Sequence, residues 1–380
     1  MKAIVNANIV LTNGILWDGV VLTDDGKIVG IEKRREIKLP ENAEIIDAGD
    51  AYVGPGFVDI HVHGGGGFST CRDTEKAAEF FLKHGTTSLL ATTDYHMDKD
   101  TTVSMFRSIK KAIDGGKASN VKGIYAEGPY TNSNYGSHAD TNPWRCGVKE
   151  EDYIEMADEG GKYVKVWTVA PEREDLMPFL EYAKKVNPDV IFAVGHSEAT
   201  PMQIRALGKY RPKILTHAMC ATGRQKAYVL GYGPDEYCMK EPEMYAELIS
   251  DSCAIHVHPE IQQYVLHAKG TDKVILITDS TVHNNPTPEK FSHVTDLNYD
   301  PNGGIAGSKL TMDKACRNIM THTNASIAQS FIMASLNPAK ALGLDEEIGS
   351  IEIGKCADLV FVDDKFNVKQ VMLGGKLCKF

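Results

Sequence analysis

The stretch Gly54-Pro55-Gly56-Phe57-Val58-Asp59-Ile60-His61-Val62-His63 sets two imidazoles two residues apart. Val58, Ile60 and Val62 alternate with Asp59, His61 and His63, so a strand here sends both histidines to one face. Two nitrogen donors side by side could hold a metal ion. The plainer explanation is a histidine pair on a polar sheet face. Four glycines, Gly64 to Gly67, follow. They end the strand and let the backbone pass close to whatever the histidines hold, because glycine reaches backbone angles that other residues avoid.

Further candidates recur down the chain, each near the end of an apolar run. Glu127 follows Gly123-Ile124-Tyr125-Ala126 and precedes Gly128-Pro129. His196 sits in Ala193-Val194-Gly195-His196-Ser197, His217 in Ile214-Leu215-Thr216-His217, and Asp279 in Leu276-Ile277-Thr278-Asp279-Ser280. Taken singly, Asp279 could be a helix cap and His196 a satisfied buried histidine. Taken together, such explanations must be invoked repeatedly at one structural position. Two neutral histidines and a carboxylate, with a position left open for water, form the ligand set of a hydrolytic metal centre. A further carboxylate that need not be a ligand could move the proton, and Asp279 suits that role.

The elements that must position these residues read as strand, helix, strand, helix. Apolar strand-like runs end near Val62, Thr92, Ala126, Val169, Val194, Thr216, Ile255 and Thr278, with helix-like segments such as Thr74 to His84 and Thr101 to Asp114 between them. Eight strand-helix units match a (β/α)8 TIM barrel, whose site lies at the C-terminal ends of the strands. That places His61 and His63 on the first strand, Glu127 on the third, His196 on the fifth, His217 on the sixth and Asp279 on the eighth. An open doubly wound sheet is the alternative, although no Gly-x-Gly-x-x-Gly follows an early strand.

The opening residues read as short strands: Ala3-Ile4-Val5, Ile9-Val10-Leu11, Val20-Val21-Leu22, Ile28-Val29-Gly30-Ile31 and Ile45-Ile46-Asp47, with a hairpin signal at Asp24-Asp25-Gly26-Lys27. Such a segment is too small to bury a sheet face alone. Gly349 to Lys355, Ala357 to Val362 and Val371-Met372-Leu373 again read as strands and supply the partner. The expected organisation is a catalytic barrel over 55–345 and a small β-sandwich domain built from both termini, 1–54 and 346–380.

The 380 residues carry 42% hydrophobic and 24% charged side chains, the composition of an ordinary globular protein. A net charge of −10 argues against nucleic acid or an anionic membrane as the main partner, but not against an anionic small substrate, which needs only a local cation. Eight cysteines, at 71, 146, 220, 238, 253, 316, 356 and 378, lack the paired spacing of a zinc knuckle or disulfide framework. Asn6, Asn8 and Asn13 interrupt the apolar stretch that a signal peptide requires, and no run has the length of a transmembrane helix. The expected location is cytoplasmic.

These motifs, with Pro55 to Asp59, Glu127-Gly128-Pro129, Val169-Ala170-Pro171-Glu172, Gly195 to Thr200, Thr278-Asp279, Gly303 to Met312 and Asn337 to Leu344, resemble the N-acetylglucosamine-6-phosphate deacetylase family of the amidohydrolase superfamily nearly end to end. The resemblance implies that Glu127, His196 and His217 bind a catalytic divalent metal. Zinc is expected first, with iron or another transition metal as the alternative. It implies that Asp279 is the acid/base, and that His61 and His63 match positions holding a second metal in some members. It places His138, in Gly136-Ser137-His138, near the scissile carbonyl. Arg224 matches an arginine that contacts the sugar phosphate, for which a guanidinium is suited by bidentate geometry. His256, in Ala254-Ile255-His256-Val257, matches a substrate-contacting histidine. Ala218, Met219 and Ser308 fall at further substrate positions. A phosphorylated amino sugar is the implied small-molecule partner and a homodimer the implied assembly.

The chain departs from the family after the sixth strand. His217-Ala218-Met219-Cys220 runs early into Thr222-Gly223-Arg224, so the segment that lines the sugar is shortened and lacks its asparagine. Gln225 to Tyr245, with Tyr228, Tyr232 and Tyr237, is also unlike the family. The metal chemistry is untouched, while the choice between gluco and galacto sugars stays open. Deamination or cyclic amide hydrolysis on the same barrel, and a non-catalytic scaffold, are the rival readings, since fold does not fix function.

Overall fold

The computed structural model describes residues 1–136, 141–223, 232–283 and 285–380. β1 (Lys2–Leu11), β2 (Gly14–Asp24) and β3 (Lys27–Lys33) form an antiparallel meander, with Asp25 and Gly26 at positive φ in the tight turn between the last two. The two short runs expected within residues 3–11 are one strand, carried through an irregularity where Asn6 takes φ +52°. The other edge of β1 receives β4 (Glu44–Asp47) and then β5 (Tyr52–Pro55), both parallel to it.

The chain then enters the barrel. β6 (Phe57–Val62), β9 (Thr86–Thr93), β10 (Val121–Glu127), β11 (Val164–Val169), β12 (Ile191–Val194), β13 (Ile214–Leu215), β14 (Tyr245–Ile249) and β15 (Val274–Ile277) pair in chain order, all parallel. A small hairpin, β7 (Gly64–Gly65) with β8 (Phe68–Ser69), rises from the end of β6. Every residue of β6, β9 and β15 is buried, as required of strands packed inside by one another and outside by helices. Those helices are α1 (Thr74–Lys83), α2 (Lys99–Asp114), α3 (Glu150–Gly160), α4 (Leu176–Val186), α5 (Pro201–Ala206), α6 (Pro234–Lys240), α7 (Pro259–Lys269) and α8 (Met312–Thr323). Local signals start several of them. Asp98 accepts the Thr101 N–H ahead of α2, and Thr200 and Gln203 form a reciprocal capping box at α5.

The seam between β15 and β6 is closed by hydrogen bonds at its mouth. The Asp279 N–H donates to the His61 carbonyl at 3.0 Å, the Thr278 hydroxyl donates to the buried Asp59 carboxylate at 2.6 Å, and the His63 and Gly64 N–H groups both reach the Ser280 carbonyl at 2.9 Å. A Cβ on Gly64 would lie 2.5 Å from the Phe68 carbonyl oxygen, so the glycine permits the close passage its position suggested. After β15 the hairpin β16 (Leu297–Tyr299) and β17 (Ile305–Ser308) precedes α8. The helical stretch α9 (Ile327–Phe331), a π-helical turn (Ile332–Leu336) and α10 (Asn337–Leu342) then anchors the foot of β15, Asn337 donating to the Thr271 and Val274 carbonyls.

The chain ends in β18 (Leu359–Val362), β19 (Val368–Leu373) and β20 (Lys376–Leu377), which join β5, so both termini build one eight-stranded sheet. It curls until Lys27 bridges Cys356, enclosing Ile4, Ile9, Val21, Ile28, Val53, Leu359 and Phe361. Gly349 to Lys355, expected as a strand, is instead a turn-rich segment. Gly349 and Gly354 take φ +91° and +93°, and the Gly354 N–H donates to Ile28. The seventh barrel strand ends at Ile249 rather than near Ile255, which lies in the following loop. Among the described residues no helix is long and apolar enough to cross a membrane.

Candidate metal centre

Glu127 ends β10, and His61 and His63 leave β6 on one face as their alternation requires. His196, His217 and Asp279 each stand two residues beyond a strand's last residue, at φ +46°, +30° and +45°. Left-handed backbone is costly for residues with a Cβ, and such residues cluster at functional sites. Here it ends three strands abruptly and brings their side chains over the barrel mouth.

Each imidazole has its Nδ1 facing an outer oxygen and its Nε2 turned toward the centre. His61 Nδ1 lies 3.2 Å from Glu247 Oε2, and His63 Nδ1 3.0 Å from Asp94 Oδ1. His196 and His217 donate from Nδ1 to the carbonyls of Tyr135 and Cys220, at 3.1 and 3.2 Å. With the rings neutral, those outer acceptors favour the proton on Nδ1 and leave Nε2 as a lone pair for an ion. The four Nε2 atoms then surround two carboxylates. His196 and His217 stand 2.9 and 3.1 Å from Glu127 Oε1 and 3.1 Å from each other. His61 and His63 stand 3.5 Å from Glu127 and 3.7 and 3.4 Å from Asp279.

Lone pairs and carboxylate oxygens at such separations repel unless a positive charge lies among them. His61 Nε2 is buried without a hydrogen-bond partner among the described residues. Two sets of ligand atoms, His61/His63/Asp279 and His61/Glu127/His217, each gather within 4.8 Å, and this donor set fits a divalent ion. The titration behaviour agrees. Burial opposes ionisation of Glu127, yet His196 and His61 hold it well below the carboxylate range, and His63 and His61 lower Asp279 against the same burial. Against burial, Glu127 and Glu247 raise His61 well above its usual value, Asp279 and Asp94 raise His63 to about 10, and Glu127 raises His217. The centre favours positive charge by whatever carrier is offered.

A cavity of about 260 Å³ opens over this cluster, near the lower end for a small-ligand site. His63, Glu127, His196, His217 and Asp279 form its floor, while Met219, His256 and Gly307 line its walls. His256 is held by Asp251, which takes its N–H and lies 3.1 Å from its Nδ1. Its Nε2 is buried without a hydrogen-bond partner among the described residues. Met219 is fixed through its N–H to Asp235 at 2.7 Å. Cys220 also lines the cavity, but burial pushes its thiol pKa up, so it does not offer a thiolate.

Two of the expected substrate residues are not brought to the cavity. Ala218 packs in the core beside Leu215, its N–H donating to the Glu247 carbonyl, and the Ser308 hydroxyl donates to the Thr278 carbonyl at 2.6 Å. Both support the strand ends rather than face a ligand. His138 and Arg224 lie outside the described residues. Asp94 and Glu247 escaped the sequence reading. The signal for Glu247 is a lone carboxylate inside the otherwise apolar run Ala246 to Ile249, and for Asp94 a carboxylate directly after the second strand.

Comparison with known proteins agrees with this architecture. The chain is 29% identical to the N-acetylglucosamine-6-phosphate deacetylase of Vibrio furnissii, covering 96% of this chain and 92% of the relative. It is 28% identical to the N-acetylgalactosamine-6-phosphate deacetylase of Escherichia coli O157:H7, covering 100% of both. A crystallised variant of the Mycobacterium smegmatis N-acetyl-D-glucosamine-6-phosphate deacetylase, in complex with N-acetyl-D-glucosamine-6-phosphate, superposes with a TM-score of 0.81 at 25% identity, covering 99% of this chain and 98% of that one. The amidohydrolase family model matches residues 52–378. With that match spanning the barrel and its histidine and carboxylate cluster, the chain belongs to the amidohydrolase family.

Proposed function

We propose that this protein is a metal-dependent deacetylase that hydrolyses the acetamide of N-acetylglucosamine 6-phosphate to glucosamine 6-phosphate and acetate. The observation that carries this reading is the convergence of four Nε2 atoms on Glu127 and Asp279 beneath a small-ligand cavity, in a chain similar over its length to deacetylases of phosphorylated amino sugars. Glu127, His196 and His217 hold the catalytic ion, zinc by preference, and His61 and His63 offer a second position. The ion supplies polarisation of the acetamide carbonyl and acidification of water.

The remaining work falls to the chain. Asp279, kept ionised by the imidazoles beside it, accepts the proton of the attacking water and returns it to the departing amine. His256 presents Nε2 to the sugar from the cavity wall. His138 and Arg224 keep the roles the resemblance implies, beside the scissile carbonyl and on the phosphate. We also infer a homodimer, as the resemblance implies, in the cytoplasm. The absence of disulfides among the eight cysteines suits a reducing compartment.

The galacto sugar is the second reading, favoured by the full-length likeness to the Escherichia coli enzyme and by the shortened segment after His217. Acetate release from N-acetylglucosamine and N-acetylgalactosamine, each with and without the 6-phosphate, decides. Turnover of a 6-phosphate at least tenfold above its unphosphorylated sugar is expected, and acetate from none of the four would reject the proposal.

A further inference from the structure

Glu247 is fully buried on β14 between the apolar residues Ala246 and Leu248. A carboxylate withdrawn from water is costly unless donors or a cation offset the loss. Only one of its oxygens is engaged. Oε2 lies 3.2 Å from His61 Nδ1 and accepts the His217 N–H at 3.2 Å, whereas Oε1 has no hydrogen-bond partner among the described residues. If the side chain merely filled space, a leucine would do so without that penalty.

The two groups that Glu247 does touch come from β6 and from the end of β13, and both belong to the proposed ion site. At His61, an acceptor at Nδ1 keeps the proton there and turns the lone pair of Nε2 toward the centre. At His217, the same oxygen grips the N–H of a residue held at φ +30°. We propose that Glu247 is a positioning residue for the metal, fixing the tautomer of His61 and the backbone turn at His217. This rests on the ion binding proposed above, and it does not depend on which substrate is hydrolysed.

The test uses metal-free preparations of the full chain titrated with zinc against a chromophoric chelator. Glu247→Gln keeps the shape and an oxygen within reach of both groups while removing the negative charge that draws the proton of His61 to Nδ1. It should weaken zinc binding about 10- to 100-fold, the range for loss of an outer partner of a metal ligand. Adding Glu247→Gln to His61→Ala should weaken binding no further than His61→Ala alone, because the two residues act through one another. Zinc affinity in Glu247→Gln within threefold of the parent, or losses that simply add, would overturn the inference.

A second measurement needs no variant of Glu247. In nitrogen-15 histidine spectra of the zinc-loaded parent, with His61 assigned by substitution, its proton must sit on Nδ1, and a proton on Nε2 overturns the inference equally. Acetate release by the parent is assayed in parallel. A parent that shows both effects but releases no acetate supports the role of Glu247 and removes the deacetylase reading. A parent that binds no zinc removes both.

Discussion

At the scale of the residue, the site combines strain with charge. His196, His217 and Asp279 all hold left-handed backbone, and the carboxylates of Glu127 and Asp279 are kept ionised by the imidazoles around them. Asp279 is the acid whose replacement separates proton transfer from ion binding. Asp279→Asn should lower turnover roughly 10²- to 10⁴-fold, the usual loss with a general base, while Glu127, His196 and His217 keep the ion. Steady-state kinetics with elemental analysis checks this. Turnover within a fewfold of the parent would shift the proton to His138 or His256. Residue types at strand ends made most of this cluster legible in the sequence. Glu247 and Asp94 were not, because what marks them is the imidazole each faces, and His61 is 186 positions away from Glu247.

At the scale of the element, alternation in β6 and abrupt stops after β10, β12, β13 and β15 could be read directly, since a strand's period and its end are local properties. Two elements were misread for a shared reason. Ala254-Ile255 continues the apolar character beyond β14, and Ile351 and Ile353 look strand-like, but hydrogen bonding elsewhere decides: Ala254 and Ile255 donate to Asp251, and Gly354 donates to Ile28. Ahead of β18, Asp358 provides a test of the terminal sheet. Burial raises its carboxyl above the ordinary 3.8, although the Gly374 N–H, donating at 2.6 Å, pulls the other way. The folded protein therefore holds this proton to higher pH than the unfolded chain does. Its stabilising contribution is full below about pH 4 and is lost as pH rises through the raised folded value. As pH rises above about 4, the unfolding midpoint of metal-free parent should fall relative to that of metal-free Asp358→Asn. Parallel pH curves would show that Asp358 does not contribute.

At the scale of the whole molecule, the barrel is what turns scattered residues into one centre. His61 and Asp279 are far apart in the chain, yet the seam between β6 and β15 hydrogen-bonds their backbones directly. The barrel and the two-ended terminal sheet were both legible, because eight strand-helix repeats flanked by β segments leave few alternatives. What the cavity accepts was not, because a strand's period and its end do not report the shape of a ligand. The claim on which the rest stands is that hydrolysis needs an ion among these Nε2 atoms. It is tested by purifying the protein without chelator, counting divalent ions, stripping them, and following acetate release from N-acetylglucosamine 6-phosphate before and after zinc is restored. The expected result is at least one ion per chain, loss of acetate release on stripping and its return with zinc; undiminished release from metal-free protein would contradict it.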